Sequence, residues 1–343
     1  MKKFFAILLA LVMILSMTAC GGDDTQSDPG GEGGSVTLAL SAGSYSASSA
    51  MGEAMSRMAD LITDYSGGTI TCDLYTDGSL GDLASQVDAV VNGSIDILCA
   101  GDSYYSTYVP QMQIFELPFL YESVDEARYV LDSEAGQAIA DMFAGTGIQI
   151  LDYWELGMRQ LTNSVRPVTN FEDAQGLRIR VLPVEIQVYA WEQFGCQVVA
   201  IDGSELYSSL QTGVVDAQEN PLEGIYSNKL YEIQPYVTMT NHVFTPAALS
   251  ISDATVARLS AEQLEAVQRA ADEATDWLRA AMDEDEQMAY DAISEVCEIC
   301  DDPDLSGFVE AAPAIYDRFM EIVPDTEELF EMIYAARDEY RNA

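Results

Sequence analysis

Four of the chain's twelve arginines, Arg159, Arg166, Arg178 and Arg180, fall within one short stretch of a 343-residue sequence whose formal net charge is −42. A guanidinium is planar and permanently charged, and its fork of donors matches a carboxylate or phosphate through two parallel hydrogen bonds. Gathering such groups in a chain whose mean field repels anions is a way to hold one anion against that field. Scattered surface ion pairs are the alternative, because so many acids offer any arginine a partner. Arg180 stands between Ile179 and Val181, so a strand there would hold its backbone rigid. Arg178 would share that strand face and is expected at the surface, and Arg166, before Pro167, is expected as a solvated loop charge. Asn220 precedes Pro221, which restricts it to extended conformations and can turn its amide toward a cleft.

Other residue types add less chemistry. His242 is the single histidine, so any Ser-His-Asp or Cys-His arrangement would have to use it, and no G-x-S-x-G elbow is present. It reads as a packed or hydrogen-bonded residue, and the chain as a binder, not an enzyme. Cys297 and Cys300 have metal-knuckle spacing, but no second pair accompanies them, so unpaired thiols are expected and neither a metal nor a cofactor is implied. The acids Asp283 to Glu286 lack a histidine or a turn glycine and read as a solvated helix face. Tyr153 and Trp154, shortly before Arg159, suit an aromatic wall, a hinge or core packing. Tyr45, Asp82, Gln86, Asp102, Ser103 and Tyr207 fall on expected loops or helix starts and suit a site lining or capping and surface roles.

The elements that must position these groups begin after an unusual start. Lys2 and Lys3 precede the apolar run Phe4 to Leu15, too short for a permanent membrane helix and suited to a secretory leader over 1–19. The tetrapeptide Met17 to Cys20 resembles a bacterial lipobox, which makes Cys20 the expected lipidated first residue of the mature protein. Residues 20–35, rich in Gly, Asp and Ser, form the expected disordered tether. Loss of the leader removes two lysines and no acid, leaving 13 bases against 57 acids, a formal charge of −44. Nucleic acid and anionic lipid surfaces are poor partners for such a chain, and a saline exterior would relieve its self-repulsion.

Beyond the tether, strand and helix signals alternate. Val36 to Leu40 reads as a strand, Met51 to Tyr65 as a helix with Met51, Met55, Met58 and Ile62 at helical spacing, and Ile70 to Tyr75 as a second strand. Gly81 to Asn92 reads as a helix and Ile95 to Ala100 as a third strand. The pattern repeats with strands over Leu177 to Leu182 and Gln197 to Ile201 around the helix Val184 to Phe194. It continues with the helix Glu205 to Thr212, a strand end at Val214 to Gln218, helical Leu230 and the segment Tyr236 to Met239. Ser260 and Gln263 form a capping box that opens a long helix. This predicts an α/β protein with mainly parallel sheets flanked by helices, and ligands beyond the carboxyl ends of the strands.

The motifs RQLTN at 159–163, GLRIRV at 176–181 and LQTGVVDAQENPL at 210–222 together resemble the substrate-binding proteins of tripartite ATP-independent periplasmic (TRAP) transporters, the DctP family. The resemblance extends through Leu80-Gly81, GSID at 93–96, LPFL at 117–120, Tyr226, Tyr231-Glu232 and TNH at 240–242, and covers roughly residues 36 to 320. Ala217, where the family usually carries glycine, is a small departure. The resemblance implies a two-lobed clamp like other periplasmic binding proteins. Residues 36–157 and 246–285 would form one lobe and 158–245 and 286–343 the other, with the long helix running along both.

It further implies capture of a small carboxylate, such as a C4-dicarboxylate or a related organic or sugar acid. Arg180 would form the two-pronged salt bridge, and Arg159 and Asn220 would support it; Trp154, Tyr45, Gln86, Asp102 and Tyr207, read from residue type and position alone, are the further lining candidates. Delivery would be to small and large permease subunits, from a site outside the cytoplasm held at the membrane by the lipid on Cys20. A receptor that presents its ligand to a sensor kinase could use the same clamp, and that alternative stays open. The loop Ser41 to Tyr45, small and hydroxylated, suits a compact polar ligand without naming one.

Overall fold

A computed structural model describes residues 35–343. The expected leader, Cys20 and the tether up to residue 34 lie outside the described residues. The strands are β1 (Val36–Ser41), β2 (Ile70–Tyr75), β3 (Ile97–Gly101), β4 (Ile148–Asn163), β5 (Arg178–Val181), β6 (Gln197–Ala200), β7 (Ala217–Pro221), β8 (Tyr236–Thr238), β9 (Phe244–Ser252) and β10 (Glu298–Cys300). Their order is β2-β1-β3-β9-β4-β7-β5-β6, with β8 paired to β4 and β10. Pairing is parallel in the two wings, β2-β1-β3 and β7-β5-β6, and antiparallel where β9 and β4 join them. The expected parallel character therefore holds at the wings, and the centre is antiparallel.

Both central strands escaped the sequence reading for physical reasons. All nine residues of β9 are buried, so it shows no alternation, and Pro246 is its third residue. The proline is tolerated because it faces Glu155, at the register shift between Glu155 and Gly157 of β4, where the ladder is already interrupted. Gly157 takes φ 97°, a conformation a side chain would strain. β4 is shared between the two wings: its first part pairs with β9 as far as Met158, and from Arg159 onward it pairs with β7. The strand end expected at Val214 to Gln218 lies three residues later, at Ala217–Pro221, because Val214 is exposed and the chain joins the sheet only past Asp216.

The helix Ala50–Tyr65 is capped by Ser49, whose side chain accepts from Gly52 N, and it buries Met51, Met55, Met58 and Ile62. They pack with Leu38, Leu40, Leu249 and the apolar stripe of the helix Ala261–Ser294, which opens with the expected Ser260–Gln263 capping box. This 34-residue helix serves two cores. Val267 to Met282 fill the one beneath β1 and β9, and Ala289 and Ile293 join Leu206, Leu222, Ile225 and Val237 in another.

The tail after residue 286 carries two long helices that pack in different places. Helix Ser306–Ile322 packs on helix Glu185–Gln193, and helix Glu327–Asn342 packs on Val124–Leu131 and Glu134–Asp141. Its Leu329, Phe330 and Ile333 are buried, and Arg341 pairs with buried Glu126, so apolar burial and charge both draw it there. The five cysteines among the described residues are unpaired thiols.

Candidate functional site

A cavity of about 300 Å³ opens between the carboxyl ends of the two wings. Ser44, Tyr45, Gly101, Ser103 and Tyr104 face it from the end of β3 and the loops after β1 and β3, and Arg159 of β4 with Arg180, Asn220, Ser204 and Tyr207 of the opposite wing from the other side. Loops leaving parallel strands converge there because every strand in a wing ends on the same side.

Arg180 sits on β5, in register with Val199 of β6, and is 2% exposed. Its Nε donates to the carbonyl of Ile201 at 2.8 Å, which fixes the plane of the guanidinium, while its buried Nη2 has no partner. Burial lowers its pKa, an effect Glu219 only partly offsets. A buried cation with an idle donor is costly, and an anion entering the cavity would relieve that cost.

Arg159 differs. It occupies the position where β4 changes partner, and its Nε and Nη2 reach the two carboxylate oxygens of Glu219, the latter at 2.9 Å. Nη2 also donates to the Glu219 carbonyl at 2.6 Å and to Asn220 Oδ1 at 3.2 Å, and Nη1 to Thr245 Oγ1 at 3.2 Å. Burial opposes the charge of Arg159, but Glu219 more than restores it and its pKa rises. Burial likewise opposes the charge of Glu219, yet Arg159 and His242 hold its pKa down to about 2. His242 completes this layer, with Nδ1 2.8 Å from Thr240 Oγ1, Nε2 3.2 Å from Glu219 Oε2 and its ring edge-on to Trp191. The histidine is packed and bonded, as expected.

The other expected residues divide. Tyr45, Tyr207, Ser103 and Asn220 line the cavity, and the Asn220 amide, which donates to Gln218 Oε1 at 2.5 Å, is held by β7. Trp154 does not reach it: the indole is fully buried among the residues under β9, with Nε1 donating to Thr275 Oγ1 at 2.9 Å. Tyr153 is core as well, edge-on to Phe115. Gln86 stands behind the wall, accepting from Ser41 Oγ at 2.6 Å and donating to the Gly81 carbonyl at 2.8 Å. Asp102 is fully buried beside the lining, with no well-formed hydrogen bond to its carboxyl, and burial and neighbouring Glu116 push its pKa well up. Asp82 caps the helix Leu83–Val91 through Ser85 N.

Arg178 pairs with Asp216 near the surface. Arg166 is not a free loop charge, since its Nε and Nη2 donate to the carbonyls of Asp173 and Gln175 and tie down the chain before β5. Three groups passed unnoticed in the sequence. A Cβ on Gly203 would lie 3.6 Å from the Tyr104 hydroxyl and 3.7 Å from Arg180 Nη2, so Gly203 leaves open a space that both groups border. Glu219, the partner of Arg159, lies within LQTGVVDAQENPL beside Asn220, and its charge is the signal the sequence carries for it.

The family model for bacterial extracellular solute-binding proteins of family 7, DctP, matches residues 41–322. The chain belongs to the DctP family of TRAP solute-binding proteins. It is 30% identical over 276 residues, 80% of this chain and 84% of the relative, to the 2,3-diketo-L-gulonate-binding periplasmic protein YiaO of Escherichia coli. Among solved structures, a TRAP periplasmic solute-binding protein of Chromohalobacter salexigens with bound D-glucuronate matches with TM-score 0.84 and 27% identity, covering 87% of this chain and 99% of that one. The sugar acid binding protein DctPAm of Advenella mimigardefordensis in complex with galactonate matches with TM-score 0.82 and 26% identity, over 88% and 98%. The DctP fold is the two-lobed clamp, and its members are extracytoplasmic transport-binding proteins, not enzymes. No helix among the described residues is long and apolar enough to cross a membrane.

Proposed function

We propose that this DctP protein captures a small organic acid in the cleft between its wings, with Arg180 gripping the carboxylate, and hands it to the permease subunits of a TRAP transporter. The observation that carries the reading is the buried Arg180 guanidinium, oriented by the Ile201 carbonyl and left with an idle donor beside the cavity. The ligands named for its relatives, 2,3-diketo-L-gulonate, D-glucuronate and galactonate, are carboxylates, which agrees with that grip. Asn220 and Tyr104 would orient the acid, and Arg159 would hold Asn220 in place.

Residues 36–157 and 246–285 would move as one lobe with the terminal helix, and 158–245 with 286–322 as the other. The switch of β4 from β9 to β7 at Met158 and Arg159 would be a hinge. Diacylation of Cys20 would keep the clamp beside its permease. Calorimetric titration of organic acids into wild type and Arg180→Ala tests the capture step: binding undiminished in the variant removes Arg180 from the role. Mass spectrometry of the mature protein tests the anchor.

A further inference from the structure

The cavity is lined by two formal charges, both arginines, and one of them is already neutralised. Arg159 meets Glu219 fork to fork in a layer closed by His242, so it brings little net positive charge to the cleft. Arg180 is the single uncompensated cation of the lining. The remainder is neutral: Leu83, Leu156, Leu182, Leu206 and Leu230 alternate with tyrosine rings, small hydroxyls and the amides of Asn220 and Asn228.

From this charge count we infer that the site selects monocarboxylates and rejects dicarboxylates of the same shape. The inference rests on the capture reading and narrows its substrate class. One carboxylate on Arg180 makes the site neutral. A second would be drawn from water against leucines, hydroxyls and amides, which can donate hydrogen bonds but supply no opposing charge. Freeing Arg159 to receive it would strand Glu219, which is 1% exposed and ionised far below neutral pH. The ligand body that fits is therefore uncharged, with a few hydroxyl or oxo groups facing the serines and tyrosines and an apolar side facing the leucines. A cavity of about 300 Å³ limits it to a small acid.

Pairs of acids matched in skeleton and differing in one terminal carboxylate test this: 2-hydroxy-4-methylpentanoate against malate, 2-oxopentanoate against 2-oxoglutarate, and gluconate against glucarate. Each is titrated calorimetrically into the wild-type protein and into Arg180→Ala at neutral pH and moderate salt. The monocarboxylate is expected to bind about 100-fold more tightly in whichever pairs bind, with the binding lost in the variant. A dicarboxylate that binds as tightly as its partner, and still requires Arg180, overturns the charge selection while leaving carboxylate capture intact. Failure of every acid to bind, or binding indifferent to Arg180, overturns the capture reading and the inference with it.

Discussion

Arg159 donates through Nε and Nη2 to both carboxylate oxygens of Glu219, with each side chain 4% exposed or less. The pair lies at the partner switch of β4, so one ion pair joins the strand that crosses the molecule to the strand that carries Asn220. Arg180, which lines the same cavity, has no such partner. The two arginines therefore have opposite energetics.

Arg180→Ala should weaken carboxylate binding by at least about 100-fold, because the ligand anion would lose its only uncompensated cation. The ligand-free protein should lose little stability, since removing the unpartnered Nη2 offsets the lost Nε bond to Ile201 and the lost packing. Titration calorimetry and thermal unfolding of the same variant check both halves. A variant that loses much stability along with its affinity would contradict the idle-donor account.

Glu219→Gln should destabilise the protein by about 3–5 kcal/mol by leaving Arg159 charged, buried and half-satisfied. The double variant Arg159→Met with Glu219→Gln should recover much of that loss. Urea unfolding of the single and double variants measures the coupling.

The acid limb of stability should carry two opposed contributions. Glu219 has a folded pKa of about 2, below its unfolded value, so its contribution is complete above the ordinary carboxylate range and disappears as pH falls through about 2. Burial raises Asp152 to about 6, against the bonds it accepts from Thr275 and Tyr153 N. Its folded form binds protons more tightly than the unfolded chain, so stability falls as pH rises from about 4 to about 6. Asp152→Asn should flatten that segment and raise stability at pH 7 by about 1 kcal/mol, as read from unfolding curves at a series of pH values.

Gly203→Ala should fold normally, because the added methyl meets its neighbours at ordinary van der Waals distances. It should nonetheless narrow the gap between Tyr104 and Arg180 and lower carboxylate affinity by about tenfold. Unchanged affinity with unchanged thermal stability would place the ligand away from that gap.

Raising sodium chloride from millimolar to molar concentration should increase the unfolding temperature, since 57 acids repel one another in a chain with formal charge −42. Differential scanning calorimetry across the salt series measures the shift, and a flat response would show that local pairing already cancels the repulsion.

The sequence by itself determined the wings, the long capped helix and the family. Helical and strand periodicities over residues 36 to 101 and 177 to 201 are local properties, and the motifs around Arg159, Arg180 and Asn220 are contiguous, so no tertiary knowledge was needed to find them. The central strands were not legible: β9 is buried on both faces and interrupted by Pro246, and β4 passes through a glycine at positive φ, so neither keeps a strand's alternation. Only the tertiary structure decided which arginine is free. Glu219 lies sixty residues from Arg159, and nothing in the spacing says that it answers Arg159 and leaves Arg180 without a partner. It also removed Trp154 and Gln86 from the cleft, because the direction of a side chain depends on which neighbours compete for its polar atoms, here Thr275 for the indole and Ser41 for the amide. Residue types marked the clustered arginines in the sequence, and the distribution of partners in three dimensions left Arg180 with an unpaired donor at the cavity.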